Sequence, residues 1–159
     1  MRTRAWLSLG ICAVLLAEVF VAHFPAERPA PFRMSPLYAR ATADGARGAV
    51  ALPMYAGQSI WFLEGDYLLF STRGGFLPLA NGIGRWVPQS YYVFDKATRA
   101  FPNRVSAEAL SALGITHVIF HGGRYGAGAD AVRERARQGD AYEEVVVDGD
   151  DVLYRVVAR

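Results

Sequence analysis

A glycine-rich loop holds several of the side chains that could contact a ligand. Across residues 67–88, a short apolar run gives way to a mixture of glycine, proline, arginine and aromatic residues. Glycine permits backbone angles that other residues avoid, while Pro78 and Pro88 fix φ and remove amide donors, so these constraints indicate a loop of defined shape. The loop is either a packed irregular connection in an α/β domain or a recognition surface.

Two histidines, His117 and His121, stand four residues apart. On a helix this spacing would suit a metal ion, but the run between them is apolar and β-branched, which predicts a strand. In a strand the two imidazoles lie about 13 Å apart, too far to share one zinc ion, so we predict no metal site. His121 is predicted to end the strand beside two glycines, where open α/β sheets place ligands. It is therefore a candidate ligand-binding residue or a structural imidazole, and His117 is predicted to be structural.

Residues 122–128 form a second glycine-rich stretch, placed between the predicted strand and a helix as phosphate loops are. The stretch lacks the lysine and the serine or threonine of a P-loop, and it departs from the GxGxxG order. We predict a flexible surface turn. Phosphate binding is the alternative, in which Arg124 would supply the counter-charge.

Carboxylates could provide the acid and base of glycosyl chemistry. Glu64, Asp66 and Asp95 are the acids nearest the glycine-rich loop, and we interpret them as solvated loop residues. The acids at 148–151 surround a glycine, which predicts a hairpin turn rather than a calcium site. The sequence contains no nucleophile elbow, Ser-His-Asp signature or zinc signature, so no catalytic residue and no cofactor is predicted.

Composition narrows the class of protein. The 159 residues are 52% hydrophobic and 20% charged, which excludes a disordered chain, and the net charge is only +2. Arginines are scattered rather than gathered into a stripe, which argues against nucleic acid as a partner. The single cysteine, Cys12, can form neither an intramolecular disulfide nor a cysteine metal cluster.

The N-terminal region is typical of a membrane anchor. Residues 5–24 are mostly apolar and as a helix would span ~30 Å, the thickness of the bilayer's hydrocarbon core. Arg2 and Arg4 precede this run, so the positive-inside rule places the N-terminus in the cytoplasm. A cleaved signal peptide is the alternative, but no convincing small-x-small cleavage site follows. The predicted organisation is a single-pass anchor in the cytoplasmic (inner) membrane over 1–24, a proline-rich spacer over 25–36 and an extracytoplasmic domain over 37–159.

Periodicity and turn residues predict an α/β domain with a mixed sheet and a C-terminal β-hairpin. The predicted helices cover 37–43, 91–100, 107–113, with Ser106 as N-cap, and 129–138. The predicted strands cover 48–55, 67–72, 115–120, 143–147 and 152–157.

Several short motifs occur in an order that resembles a known family. They are Leu52-Pro53-Met54-Tyr55, Pro78-Leu79-Ala80-Asn81-Gly82, Trp86-Val87-Pro88, Phe101-Pro102 and the run LGITHVIFH over 113–121. Together they resemble the extracytoplasmic C-terminal domain of bacterial GT-C superfamily membrane glycosyltransferases, relatives of the protein mannosyltransferases. The resemblance covers residues 35–159. Family members often carry an aromatic residue and a serine after Asn-Gly, where this chain has Ile83 and Gly84.

The resemblance implies a role in glycosyl transfer without catalysis. In such enzymes the catalytic acid lies in an early loop of the multi-helix part, which these 159 residues do not include. The chain is therefore expected to be a fragment or a split subunit that assists transfer of sugar from a polyprenyl-phosphate donor, with a multi-helix membrane glycosyltransferase as partner. The alternative is a free-standing envelope module that binds another protein through its aromatic loop.

The expected contacts with a sugar, a lipid phosphate or a partner loop come from side chains of suitable chemistry. Trp86 offers a stacking face, and arginines offer bidentate geometry to phosphate. The candidate ligand-binding residues are Arg73, Asn81, Arg85, Trp86, Tyr91 and His121.

Overall fold

A four-stranded mixed sheet forms the centre of the domain in the computed structural model, which describes residues 34–54, 64–82 and 89–157. The strand order is β1-β2-β4-β3, with β1 parallel to β2 and the other neighbouring strands antiparallel. This confirms the predicted α/β class, the mixed sheet and the C-terminal hairpin. The strands are β1 (Ala49–Leu52), β2 (His117–His121), β3 (Tyr142–Asp148) and β4 (Asp151–Val156).

Helices precede β1 and lie between β1 and β2 and between β2 and β3. They are α1 (Leu37–Ala43), α2 (Glu64–Arg73), α3 (Gln89–Thr98), α4 (Arg104–Ala112), α5 (Gly122–Tyr125) and α6 (Ala129–Gln138), with a 3-10 turn over Gly126–Gly128. The predictions for 37–43 and 129–138 are confirmed to the residue. The stretch predicted as a turn after β2 is instead α5 and the 3-10 turn.

Both faces of the sheet are covered by helices. Every residue of β1 and β2 is buried, as expected for parallel strands with cover on both sides. Alternate residues of β1 enter two separate apolar clusters: Val50 packs in the cluster that includes α3, α4 and α6 residues, and Ala51 in the cluster that includes α1 and α2 residues. The domain is therefore layered, with α1 and α2 on one face of the sheet and α3, α4 and α6 on the other.

The strand predicted over 67–72 is wrong, because this segment belongs to helix α2. Its aromatic and apolar residues are typical of a strand. The buried positions, however, recur every three or four residues, which is the period of a helix. Those positions are Glu64, Tyr67, Phe70 and Ser71. The sequence pattern missed this because a charged residue, Glu64, occupies a buried position.

The predicted N-cap of α4 is also wrong. Asn103 caps the helix, and its side-chain oxygen accepts a hydrogen bond from the backbone N–H of Ser106 at 3.0 Å. Ser106 lies inside the helix, and its hydroxyl accepts a hydrogen bond from Tyr142 at 2.8 Å. Both serine and asparagine are good caps, and the helix begins one turn before the serine.

The turn between β3 and β4 approaches the start of α5 closely. A Cβ atom built on Gly122 would lie 2.2 Å from the carbonyl oxygen of Asp150, whereas one built on Gly123 would meet nothing within 4 Å. Gly122 is therefore required by its surroundings, and Gly123 is not.

We expect Gly122→Ala to lower the free energy of unfolding by about 1–3 kcal/mol, because backbone must shift to admit the methyl group. The matched variant Gly123→Ala should change it by less than about 1 kcal/mol, since alanine is the better helix former and the space is open. Thermal and denaturant unfolding of the purified full chain would measure both. Equal effects of the two substitutions would contradict the close contact.

Candidate functional site

The carboxyl ends of the parallel strands β1 and β2 carry a group of polar side chains at the position where open α/β sheets place ligands. His121 ends β2 and stands at its centre. Its Nδ1 lies 2.6 Å from Asp151 Oδ2, and its Nε2 lies 3.0 Å from the Tyr38 hydroxyl. We call the whole group the sheet-edge cluster, and its members are Tyr38, Asp66, Tyr67, His121, Arg124 and Asp151.

The arrangement of Asp151, His121 and Tyr38 fixes the imidazole. A carboxylate can only accept, so His121 Nδ1 donates to Asp151, and in the neutral imidazole Nε2 accepts the hydroxyl hydrogen of Tyr38. Burial, reinforced by the neighbouring Tyr67, raises the pKa of Tyr38 well above its usual value, so its hydroxyl keeps its proton. Tyr38 is fully buried and His121 is 3% exposed. This triad ties α1, β2 and β4 together, and its phenol and imidazole are closed to a substrate.

Tyr67 and Arg124 complete the cluster, and of these two residues only Arg124 reaches solvent. The Tyr67 ring stacks on the His121 imidazole, with centroids 4.9 Å apart and planes 6° from parallel. The Arg124 guanidinium lies 4.8 Å from the Tyr67 ring centroid and pairs with Asp66 at 2.5 Å. The Arg124 side chain is 26% exposed. The cluster contains one guanidinium group, on Arg124, and one imidazole group, on His121. Only the Arg124 guanidinium is exposed enough for an anion to approach it.

A second network begins at Glu64, in the first turn of α2. Glu64 is 1% exposed; its Oε1 accepts a hydrogen bond from the Tyr91 hydroxyl, and its Oε2 accepts one from the backbone N–H of Gly82 at 3.3 Å. Gly82 and Tyr91 flank residues 83–88, which carry Arg85 and Trp86 and lie outside the described residues. One buried carboxylate thus holds both sides of that segment.

The Asn81 side chain completes the edge of the sheet next to Gly82. Its Oδ1 accepts from the backbone N–H of Ala51 at 2.6 Å, and its Nδ2 donates to the carbonyl of the same residue at 2.9 Å. Upstream, Ala49 N–H donates to Pro78 O and Ala80 N–H donates to Ala49 O, both at 2.8 Å. Segment 78–81 therefore forms hydrogen bonds with backbone groups at the outer edge of β1. The side-chain amide of Asn81 makes the pair of bonds that a neighbouring strand would otherwise make.

The end of α2 presents side chains to solvent. Arg73 is exposed, with Nη1 3.7 Å from the Met34 sulfur. Phe76 is 80% exposed and has a φ of 59°, in the left-handed region that a bulky residue rarely adopts. The glycine-rich loop thus displays a cation and an aromatic ring close together in sequence.

His117 lies at the other end of β2 and has its own network. Its Nε2 lies 2.9 Å from Asp44 Oδ2, and Arg155 donates to both carboxylate oxygens of Asp44 at 2.7 and 2.8 Å. Hydrogen bonds from His117 and then from Arg155 hold the pKa of Asp44 below its usual value. The contacts agree with the predicted structural role of His117, because the imidazole joins α1 to the sheet.

The structure thus divides the predicted ligand-binding residues among several places. His121 lies in the sheet-edge cluster, and Tyr91 belongs to the Glu64 network. Asn81 precedes Gly82 of that network, and Arg73 is on the exposed end of α2. Helix α2 connects them, because its first turn supplies Glu64 to one network and Asp66 and Tyr67 to the other. Within the described segments, no three His, Cys, Asp or Glu side chains converge as metal ligands.

Sequence reasoning missed the partners that orient His121. The sequence pattern places Tyr38 only in a short helix and Asp151 only in a hairpin turn. Asp151 pairs directly with His121 in the register of β4 against β2, and the sequence gives no signal for which strand lies beside β2. Tyr67 was missed because its segment was predicted as a strand.

Comparison of the chain with family models, curated proteins and solved structures finds no match. The predicted anchor over 1–24 and most of the spacer lie outside the described residues. Among the residues that are described, none of the helices has the length and apolar character needed to cross a bilayer.

We expect Asn81→Ala to lower the free energy of unfolding by about 2–4 kcal/mol, because both backbone groups of Ala51 then lose their buried partners. Ser90→Ala, at an exposed position in the first turn of α3, is the control and should change it by less than about 0.5 kcal/mol. Unfolding of the purified full chain measures both. A small effect of Asn81→Ala would contradict its place in the sheet edge.

The lowered pKa of Asp44 predicts a dependence of stability on pH. A carboxylate whose pKa is lower in the folded state stabilises the fold above its unfolded pKa, and this contribution is lost as pH falls through the folded pKa. We therefore expect the melting temperature of the wild-type chain to fall below about pH 4, the ordinary pKa of aspartate, with Asp44→Asn less stable near neutrality and less dependent on pH in the acid range. Thermal melts from pH 7 downwards test this, and parallel curves for the two proteins would contradict it.

Proposed function

We propose that this chain is a non-catalytic, membrane-anchored extracytoplasmic domain related to the C-terminal domain of GT-C glycosyltransferases. In this role it is a fragment or split subunit that assists transfer of sugar from a polyprenyl-phosphate donor held with a multi-helix transferase. The observation that carries the proposal is the buried Glu64 carboxylate, which receives hydrogen bonds from Gly82 and Tyr91 on the two sides of segment 83–88.

The surroundings of Glu64 and His121 support a role in positioning other parts of the chain rather than in catalysis. Glu64 and His121 are of types that serve as general acids or bases, yet both are buried and hydrogen-bonded to groups that hold helices and loops. A general base must reach the proton that it removes, and neither side chain has that access. Glu64 holds Gly82 and Tyr91 on the two sides of segment 83–88, whose arginine and tryptophan we propose as the contacts with a ligand or a partner.

The exposed chemistry suits a phosphate-linked sugar. Arg124 is partly exposed, and Arg73 is exposed at the end of α2, three residues before the exposed ring of Phe76. One guanidinium group can donate two parallel hydrogen bonds to two oxygens of a phosphate. Aromatic rings pack against the apolar faces of sugars and against lipid chains. Arg85 and Trp86 repeat this combination in segment 83–88.

We expect Tyr91→Phe to weaken binding of a polyprenyl-phosphate-linked hexose by about tenfold, because Glu64 loses a charge-assisted hydrogen bond that holds the segment. Tyr92→Phe is the matched control: Tyr92 is 49% exposed on the same helix, and its variant should bind within about twofold of wild type. Saturation-transfer NMR and tryptophan fluorescence on the full chain in detergent micelles measure the affinity.

Two results would overturn the proposal of direct binding. The first is the absence of any saturable signal with either a polyprenyl phosphate or its hexose-linked form. The second is an equal loss of affinity in the Tyr91 and Tyr92 variants. If a transferase gene lacking this domain lies next to the coding sequence, and both products are needed for transfer to membrane acceptors, the split-subunit role is supported.

An apolar groove favours a second candidate function, an envelope module that binds another protein. A cavity of about 380 Å³ lies between α3 and α4, and among its lining residues Val93, Val105 and Leu113 are 47%, 67% and 38% exposed. Lys96 provides a positive charge at this groove. These features suit an apolar helix of a partner protein that carries acidic residues beside its apolar face.

A photo-crosslinking amino acid placed at Val105 in living cells tests this second function. We expect one dominant crosslinked partner peptide that is apolar and flanked by acids. Val147, 43% exposed on β3, is the control position and should give no such product. Equal crosslinking from both positions, or none from Val105, would exclude the groove as a binding surface.

A further inference from the structure

Tyr154, on the face of the sheet opposite the sheet-edge cluster, has a buried hydroxyl that the proposed function does not use. Its side chain is 1% exposed, and the hydroxyl has no hydrogen-bond partner among the described residues. The nearby Tyr142 is equally buried, but its hydroxyl donates to Ser106 at 2.8 Å. A buried hydroxyl without a partner costs free energy, so Tyr154 requires an explanation that Tyr142 does not.

A cavity of about 270 Å³ adjoins Tyr154 between α6 and the β3–β4 hairpin. It is lined by Ala136, Arg137, Tyr142, Glu144 and Tyr154. Glu144 lies directly opposite Tyr154 in the strand register, where side chains share one face of the sheet. Arg137 and Glu144 are 52% and 33% exposed while the two tyrosines are buried, so the cavity runs inward from a charged entrance to aromatic walls.

The charges around the cavity cancel in pairs. Arg137 contacts Glu144 at 3.3 Å, and the nearby Arg133 pairs with Asp130. Burial and the charge of Glu144 raise the pKa of Tyr154 to about 12 against the opposing effect of the two arginines, so the phenol stays protonated at neutral pH. A net anion or cation would therefore gain little here, because each guanidinium already has a carboxylate.

The donors and acceptors fit a neutral ligand rich in hydroxyl groups. A guanidinium beside a carboxylate offers a donor and an acceptor side by side, which matches two neighbouring hydroxyls of a sugar ring. Aromatic walls can pack against the C–H face of such a ring. The volume lies just below the range of about 300–1,000 Å³ typical of ligand pockets, so a single ring fits and a lipid chain does not.

We propose that the cavity lined by Tyr154, Arg137 and Glu144 is a binding site for a neutral monosaccharide unit, in which the Tyr154 hydroxyl bonds to a sugar hydroxyl. This site does not rest on the proposed function. It lies on the other face of the sheet from the sheet-edge cluster, and its key side chains take no part in the Glu64 network.

The test compares Tyr154→Phe with Tyr92→Phe, a substitution at an exposed tyrosine of α3 outside the cavity, in the full chain. The probes are the methyl α-glycosides of glucose, mannose and galactose. Saturation-transfer NMR detects their binding, and titration gives their affinity. We expect saturable binding of at least one glycoside, weakened about three- to tenfold by Tyr154→Phe, which removes one hydrogen bond. Tyr92→Phe should leave that affinity unchanged within about twofold, because Tyr92 is exposed and does not line the cavity.

Thermal unfolding of Tyr154→Phe and of Tyr142→Phe, which removes a hydrogen bond to Ser106, separates binding from folding. Without ligand, Tyr154→Phe should melt at or above the wild-type temperature, and Tyr142→Phe should melt below it. The proposal is overturned if no glycoside binds up to about 10 mM, a concentration well above millimolar affinity. It is also overturned if Tyr154→Phe binds as tightly as wild type, or if methyl glucuronide binds in preference to the neutral glycosides. A lower melting temperature of Tyr154→Phe without glycoside binding would show that a buried water alone serves the hydroxyl.

Discussion

A carboxylate removed from water must receive hydrogen bonds, and the Glu64 carboxylate meets this requirement by drawing together parts of the chain that are distant in sequence. The backbone of Gly82 and the hydroxyl of Tyr91 both donate to it. The start of α2, the end of the segment along β1 and the start of α3 are thereby held in one place. Removing either donor would leave a buried charge with less compensation, so the positions of these elements depend on one another.

The same constraint explains why α2 is the organising helix of the candidate site. Its first turn brings Glu64 to one network and Asp66 and Tyr67 to the other. Tyr67 then stacks on His121, whose imidazole is fixed by Asp151 and Tyr38. Polar groups from α1, α2, β2 and β4 are thus connected at the carboxyl end of the parallel strands, and the imidazole and the phenol at their centre are buried.

Much of the fold could be predicted from the sequence because local chemistry and tertiary structure agree. Helix α6 has a clear apolar face and ends at Gly139, and the hairpin has Gly149 at a φ of 61° in an Asp-Gly turn. Prediction was wrong at α2, where the buried face includes a carboxylate and the aromatic residues suggested a strand. Tertiary hydrogen bonds from Gly82 and Tyr91 make that burial tolerable, and no local pattern reports them.

The candidate site was predictable only in part, for a related reason. His121 could be placed at a strand end from its β-branched neighbours and following glycines. Its partners depend on the pairing of β2 with β4 and on the packing of α1, which are non-local choices. Asn81 shows the same limit. Its residue type suggests a ligand contact, whereas its position beside β1 commits both amide atoms to Ala51.

The way the sheet ends restricts how other proteins can approach it. At β1 the backbone groups are taken by segment 78–81, including the amide of Asn81. At β3, on the opposite side, the ladder is irregular between Glu144 and Val146, and Glu143 and Glu144 place charges on the strand. An irregular, acidic border of this kind discourages the addition of an extended peptide as a further strand. Association by β-augmentation is thus disfavoured on both borders, and a macromolecular partner must engage the helical layers or the loops that emerge from the sheet.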